Sequence, residues 1–101
     1  MNITVENNGG IVTALLEGRL DTPASLEVAP QFEALQEFAN GTIILDCSKM
    51  AYISSSGLRL FLGLRKAASA KGGEVIVKQM SSEIRQVFVM TGFLNLFKIE
   101  D

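Results

Sequence analysis

The stretch from Ile44 to Leu64 constrains the fold more than any other part of the chain. It passes from an apolar run through a polar, serine-rich turn into an amphipathic segment, which is the pattern of a strand, a loop and a helix. Ser54, Ser55 and Ser56 fall where that helix should begin. Because a helix begins with free backbone N–H groups and a positive end potential, a phosphate group can be accommodated there.

A hairpin is predicted at the start of the chain. Ile3 and Val5 lie in one β-rich run and residues 11–16 form a second, with Asn7-Asn-Gly-Gly10 between them. Runs of this kind around an Asn/Gly turn are the strongest short-range hairpin signal. The segment from Gly18 to Pro23 ends the second strand.

A first helix follows. Asp21 or Thr22 can cap it, and Pro23 suits its first turn. Pro30 is placed near the first turns as well, because a proline in a helix interior loses a hydrogen bond. Asn40-Gly41 is predicted to end the helix. The face expected to be buried runs at helical spacing: Leu26, Ala29, Phe32 or Glu33, Leu35 or Gln36, and Phe38 or Ala39.

A central strand and a second helix follow in turn. Thr42 to Asp46 is a short, continuous apolar run, as expected of a strand buried on both faces of a parallel sheet. The second helix is expected to end near Lys71-Gly-Gly73. Five of its residues share one face by helical spacing: Gly57, Leu60, Phe61, Leu64 and Ala68.

The last third of the chain adds two strands and one helix. Glu74–Lys78 and Leu96–Ile99 are predicted strands, and the helix between them is capped by Ser81 or Ser82 and stopped by Gly92. The order ββαβαβαβ predicts an α/β fold. We expect a single domain over residues 1–101, with a mixed, mostly parallel sheet that has an N-terminal hairpin and helices packed on it.

Composition limits the possible function classes. The chain has 101 residues, of which 48% are hydrophobic and 20% charged, enough for one modest core. It has no histidine, so Ser–His–Asp and Cys–His catalytic arrangements cannot form, and it lacks the standard glycine-rich phosphate-binding motifs. We therefore expect a protein that is not an enzyme.

Metal, cofactor and membrane sites are not indicated. Cys47 is the only cysteine, which excludes a disulfide within the chain, and we expect it to be a buried small residue. The carboxylates show no metal-ligand clustering, and no stretch approaches the roughly 18 apolar residues of a membrane-spanning helix. We expect a soluble, cytoplasmic protein with no metal, no cofactor and no membrane insertion.

Charge is distributed unevenly along the chain. The net charge of −2 gives no reason to expect direct nucleic-acid binding. Residues 1–37 hold six acidic residues and one basic residue, whereas residues 46–85 hold seven basic and three acidic residues. This asymmetry fits either solvated faces on opposite sides of a small domain or a charge-complementary protein partner.

The serines and two leucines each allow two interpretations. The serines are either a helix cap with two polar loop residues or a phosphoacceptor site. On a helical wheel Leu58 and Leu62 turn aside from the apolar stripe of the second helix. They are either exposed, forming a docking patch with Arg59, Arg65 and Lys66, or buried beneath a neighbouring helix.

The sequence resembles the STAS domain family, which includes bacterial anti-sigma factor antagonists. Its hallmark is an apolar strand followed by D-x-S-x-V-x-x-I-D-S-[ST]-G-L. The matching positions are Asp46, Ser48, Met50, Ile53, Ser55, Ser56, Gly57 and Leu58. Gly18-Arg-Leu-Asp21 looks like the family's earlier G-x-L-D element, and the likeness covers essentially the whole chain.

The resemblance implies a mechanism. The unphosphorylated domain would bind an anti-sigma factor that is also a serine protein kinase, which frees a sigma factor and regulates transcription indirectly. Phosphorylation at the start of the second helix would abolish that binding, and a phosphatase is a further implied partner. The matching acceptor is Ser56, with Ser55 as the alternative. The implied partner-binding residues are Asp21, Ser54, Ser55, Gly57, Leu58 and Leu62.

Ser54 departs from the family pattern, which has Asp at that position. Serine keeps a capping oxygen without the charge, so the departure bears on recognition by a kinase more than on the fold. It also fits a second hypothesis, a STAS domain that docks proteins without being phosphorylated, in a transporter accessory or signalling complex. A third hypothesis is nucleotide or anion binding at the helix N-terminus.

Overall fold

The structure is a computed structural model that describes residues 1–101. The chain opens with the predicted hairpin. Strand β1 spans Asn2–Asn8 and strand β2 spans Ile11–Leu20, paired antiparallel from Asn8 and Ile11 outward. The turn consists of Gly9 and Gly10, whose φ angles are 61° and 92°. Positive φ at both turn residues is typical of the tight hairpin turn that glycine favours.

Five strands form one sheet. Strand β3 spans Thr42–Ile53, β4 spans Glu74–Lys78 and β5 spans Lys98–Glu100. The spatial order is β1-β2-β3-β4-β5, and every pair except β1 with β2 is parallel. The predicted element order and the central place of β3 are therefore confirmed.

Strand β3 is longer than predicted. The sequence predicts a strand over residues 42–46 followed by a loop, but the strand continues to Ile53. It stays paired with β2 up to Leu20, across two register shifts. Its later buried residues, Cys47, Met50 and Ile53, are three positions apart, so the period-two alternation that signals a strand is interrupted there.

Three α-helices and two short 3₁₀ segments connect the strands. Helix α1 spans Thr22–Leu35, α2 spans Ser55–Lys71 and α3 spans Ser82–Thr91. The 3₁₀ segments cover Gln36–Phe38 after α1 and Phe93–Leu96 after α3. The last strand therefore begins later than the run over residues 96–99 predicts.

All three helices pack on one face of the sheet. Alternate residues of β2 from Val12 to Leu16 point into a core cluster of 23 buried residues that includes all three helices. Phe61 of α2 lies at its centre, with its ring centroid 5.8 Å from that of Phe32 in α1 and 5.9 Å from that of Phe88 in α3. The opposite face of the sheet carries no helix.

Helix α1 differs from the prediction in three respects. It ends at Leu35, before the predicted stop at Asn40-Gly41. Pro30 lies in its interior and not near its first turns. Proline has no N–H to donate to the carbonyl of Leu26, one turn earlier. Leu26 is 77% exposed, so water can replace the missing donor. The prediction that Leu26 faces the core is therefore wrong. The buried residues of α1 are Ala24, Ser25, Val28, Phe32 and Leu35.

The ends of the later helices are as predicted. Ser81 caps α3, because its hydroxyl accepts a hydrogen bond from the Ile84 N–H at 3.2 Å. Gly72 ends α2 and Gly92 ends α3, each with a left-handed backbone. Glycine adopts that conformation without a steric penalty.

Gly57 allows the start of α2 to approach the ends of two strands closely. A β-carbon at this position would lie 2.7 Å from Cγ of Leu20 and 3.0 Å from Cγ1 of Ile53. Carbon atoms in van der Waals contact are about 3.5–4.0 Å apart, so a larger residue does not fit without movement. At Gly63, in the same helix, the equivalent position has no neighbouring atom within 4 Å.

We expect the substitution Gly57→Ala to lower the free energy of unfolding by about 1–3 kcal/mol, because the added methyl group overpacks this contact. Gly63→Ala is the matched control, and it should raise the free energy of unfolding by about 0.5–1 kcal/mol through helix propensity alone. Urea unfolding measures both values. Equal stability of the two variants would contradict the close contact at Gly57.

Cys47 is buried, as predicted. It is 1% exposed, and its Sγ lies 3.7 Å from the carbonyl oxygen of Leu45. Burial, with the negative charge of Asp46 as a second cause, raises the pKa of the Cys47 thiol from 9.0 to about 12. The thiol is therefore neutral in the folded protein at physiological pH, and a neutral thiol is a poor nucleophile.

This raised pKa makes stability depend on alkaline pH. The contribution of the neutral thiol to folding is complete below pH 9.0 and is lost as the pH rises toward about 12, because the unfolded chain ionises first. Across this window the free energy of unfolding should fall more steeply for the wild type than for Cys47→Ala, by up to about 1.4 kcal/mol per pH unit. Parallel pH profiles for the two proteins would show that the thiol is not buried.

Candidate functional site

Two helices begin side by side at the carboxyl ends of β2 and β3. The strands end as paired neighbours at Leu20 and Ile53, and Asp21 and Ser54 follow them. Asp21 caps α1 by accepting a hydrogen bond from the Ala24 N–H at 2.9 Å. Ser54 caps α2 in the same way, so Asp21 lies beside the serine cluster.

The Ser54 hydroxyl is fully engaged in holding α2 to β2. It donates a hydrogen bond to the Leu20 carbonyl at 2.9 Å and accepts one from the Gly57 N–H at 3.1 Å. The Ser54 N–H donates to the same Leu20 carbonyl at 2.9 Å. Ser54 is only 8% exposed. It therefore has the structural role of a helix cap.

Ser55 and Ser56 occupy the first two positions of α2 and have different surroundings from Ser54. Ser55 is exposed and Ser56 is half-buried. Neither hydroxyl makes a hydrogen bond within the chain, which leaves both oxygen atoms unengaged. The first helical hydrogen bond is donated by the Leu58 N–H to the Ser54 carbonyl, so the N–H groups of Ser55 and Ser56 precede the helical ladder.

The local electrostatics favour an anion at these serines. The first turn of α2 contains no acidic residue, so the positive end of the helix dipole is not neutralised from within the helix. Arg59 is exposed and follows Ser55 by four positions and Ser56 by three, the spacings at which helical side chains are neighbours. A phosphate on either serine would therefore meet the positive end of the helix dipole and Arg59, with the Asp21 carboxylate as the opposing charge nearby.

Leu58 and Leu62 do not form an exposed patch. Leu58 is 3% exposed and belongs to the core, and Leu62 is half-buried. Of the two interpretations of Leu58, the buried one is confirmed, because the buried face of α2 includes Leu58. Leu60, which was expected on that face, is only half-buried. Helix α1 packs against α2, with Phe32 stacked on Phe61, and widens the covered face.

An exposed aromatic residue next to the serines was missed in the sequence. Tyr52 is 41% exposed, and the guanidinium carbon of Arg19 lies 4.5 Å from the centroid of its ring. The two residues are neighbours across β2 and β3, on the face of the sheet that carries no helix. Their separation in the sequence and the register shifts between them hide this pairing, so no sequence signal indicates it.

The structure shows no metal-binding cluster and no cleft at the serines. No group of three or more histidine, cysteine, aspartate or glutamate side chains is close enough to hold a metal ion. Two shallow clefts of about 190 and 320 Å³ share Gly73 and Glu74 in their linings, near the start of β4, and none of the three serines lines either. No helix has both the length and the apolar character needed to cross a membrane.

Comparisons with known proteins agree with this architecture. The chain matches the STAS domain over residues 2–101. The anti-sigma F factor antagonist of Paenibacillus polymyxa is 30% identical over 102 residues, a match that covers 100% of this chain and 87% of that protein.

Solved structures show the same fold. The anti-sigma factor antagonist SpoIIAA in its unphosphorylated form is 24% identical with a TM-score of 0.76, over 99% of this chain and 88% of that one. The Bacillus cell fate determinant SpoIIAA in its phosphorylated form is also 24% identical, with a TM-score of 0.73 over 97% and 90% of the two chains. With a family match over nearly its whole length, this chain belongs to the STAS domain family.

Proposed function

We propose that this STAS domain is a cytoplasmic anti-sigma factor antagonist without enzymatic activity. In its unphosphorylated form it binds an anti-sigma factor that is also a serine protein kinase, and phosphorylation of Ser56 releases it. Ser55 is the alternative acceptor. A phosphatase would restore the binding form. The observation that carries this proposal is the pair of unengaged serine hydroxyls on the first turn of α2.

The relatives support this choice of partner and switch. The Paenibacillus relative is an anti-sigma F factor antagonist and is matched by the whole of this chain. SpoIIAA has been solved in both unphosphorylated and phosphorylated forms, and both resemble this chain with TM-scores above 0.7. A domain of this shape can therefore carry a phosphate without losing its fold.

The position of the serines explains how a phosphate would act. It would add a charge of about −1.5 to −2 at neutral pH, which the free N–H groups and the dipole of α2 tolerate. The same charge placed in a desolvated contact with a partner can weaken that contact by several kcal/mol, which is about a hundredfold or more in affinity. The switch acts through the surface and does not require refolding.

Other residues of the proposed contact have distinct roles. Asp21 lies beside the serines and can accept hydrogen bonds from a partner in addition to its capping bond. Gly57 permits the close approach of α2 to the strands, and Leu58 supports this turn from the core. Leu62 is half-buried, and in this proposal its exposed part contacts the partner at the edge of the contact surface.

A second candidate function is favoured by Ser54, which stands where the family pattern has Asp. Without that charge the domain would dock a partner protein and receive no phosphate. Nucleotide or anion binding at this helix end is a weaker candidate, because both clefts of the structure lie away from the serines.

Incubation with ATP and the cognate anti-sigma factor kinase separates these candidates. We expect one phosphate on Ser56, or on Ser55 as the alternative, located by mass spectrometry. Ser56→Asp should also abolish binding to that kinase, because it places a negative charge in the contact. Ser69→Asp is the matched control, since Ser69 is exposed near the other end of α2. A phosphate-free product together with full binding by Ser56→Asp would support the docking function and contradict the switch.

The structural role of Ser54 can be tested separately. We expect Ser54→Ala to lower the free energy of unfolding by about 1–3 kcal/mol, because it removes a helix cap and leaves the buried Leu20 carbonyl with one hydrogen bond fewer. Ser55→Ala, one residue later, should change stability by less than about 0.5 kcal/mol. Thermal or urea unfolding compares the two. Similar losses for both variants would show that the cap is not specific to Ser54.

A further inference from the structure

Strand β1 is an open edge of the sheet. It spans seven residues, all paired with β2 in one unbroken register, and six of the seven are exposed. It contains no proline and no bulge, and Glu6 is its only charged residue. Prolines, bulges and charged side chains are the features by which proteins normally block edge-to-edge pairing, and β1 has only the one charge. The other edge, β5, has only three residues and two charges.

The hairpin geometry determines which backbone groups of β1 are free. A two-residue turn closes on a hydrogen-bonded pair, here Asn8 and Ile11, and hydrogen-bonded pairs then alternate along the ladder. Asn2, Thr4 and Glu6 therefore direct their N–H and C=O groups toward β2. Ile3, Val5 and Asn7 direct theirs outward, where the sheet has no further strand.

We propose that two copies of this chain pair through β1, antiparallel, about a two-fold axis beside Thr4. In this register Ile3 of each copy forms a hydrogen-bonded pair with Val5 of the other. Both residues lie on the helix-bearing face, because they pair with the inward-facing Leu16 and Ala14 of β2. Val5, 45% exposed in the monomer, gains an apolar neighbour.

The remaining pairs of this register are also compatible. Thr4 faces Thr4 of the other copy in a non-hydrogen-bonded pair, and threonine pairs at such positions are favourable. Glu6 faces the neutral Asn2, so no like charges meet. The alternative register centred on Val5 would instead place Ile3 opposite the polar Asn7. This self-complementarity identifies the occupant of the edge as a second copy of the chain.

A dimer of this kind would be weak and concentration-dependent, because edge pairing of one strand buries less surface than a standard interface of about 1,600 Å². It would leave the serines at the start of α2 uncovered, because β2 separates β1 from β3. The proposal is therefore independent of the phosphorylation switch.

Disulfide trapping in the full-length protein tests the register. In a non-hydrogen-bonded antiparallel pair the Cα atoms lie about 4.5 Å apart, within disulfide range. Under oxidised glutathione, Thr4→Cys should form covalent dimers at least about tenfold faster than Glu6→Cys, whose sulfur atoms would not face each other. The native Cys47 is buried and does not form disulfides under these conditions. Equal rates for the two variants, or faster trapping of Val5→Cys, would overturn the proposed pairing.

Sedimentation equilibrium of proteins without added cysteines provides a second readout. The average mass of the wild type should rise from the monomer toward twice that value with increasing concentration. Val5→Lys should remain monomeric, because it places a charge next to the two-fold axis, opposite the apolar Ile3 of the other copy. Leu26→Lys, on an exposed position of α1, is the matched control and should behave as the wild type does. A wild type that stays monomeric at millimolar concentration would also overturn the proposal.

Discussion

The hydrogen bonds that Ser54 makes to Leu20 determine the geometry of the candidate site. The N–H and the hydroxyl of Ser54 both donate to one carbonyl at the end of β2, and the same hydroxyl caps α2. The first turn of α2 is thus fixed to the sheet at a point where Gly57 leaves no spare space. A rigid anchor of this kind allows the next two residues to present free hydroxyls without their own tertiary contacts.

Much of the fold could be predicted from the sequence because its signals are local. The Asn/Gly turn, the caps at Asp21 and Ser81 and the glycines that end the helices each act within a few residues. The errors arise where tertiary packing overrides local pattern. Strand β3 continues through an irregular stretch because β2 pairs with it, and Pro30 is tolerated inside α1 because its turn faces solvent.

The candidate site was only partly predictable. The position of the serines at a helix start follows from the sequence. Which serine caps the helix and which keep free hydroxyls does not, because this depends on which hydroxyl reaches the Leu20 carbonyl. The burial of Leu58 depends on how α2 packs into the common core. The contact between Arg19 and Tyr52 requires the register of two distant strands. Each of these is a property of packing between elements.

The most direct test of the account is a calorimetric titration of the proposed partner, an anti-sigma factor kinase, into this protein before and after stoichiometric phosphorylation of the proposed acceptor, Ser56. The account predicts that affinity falls about a hundredfold or more while the thermal midpoint of the STAS domain stays nearly constant, because the phosphate changes a surface supported by an unaltered frame. Equal affinity for the two forms would contradict it. A large fall in the thermal midpoint would show that the phosphate acts by disrupting the fold.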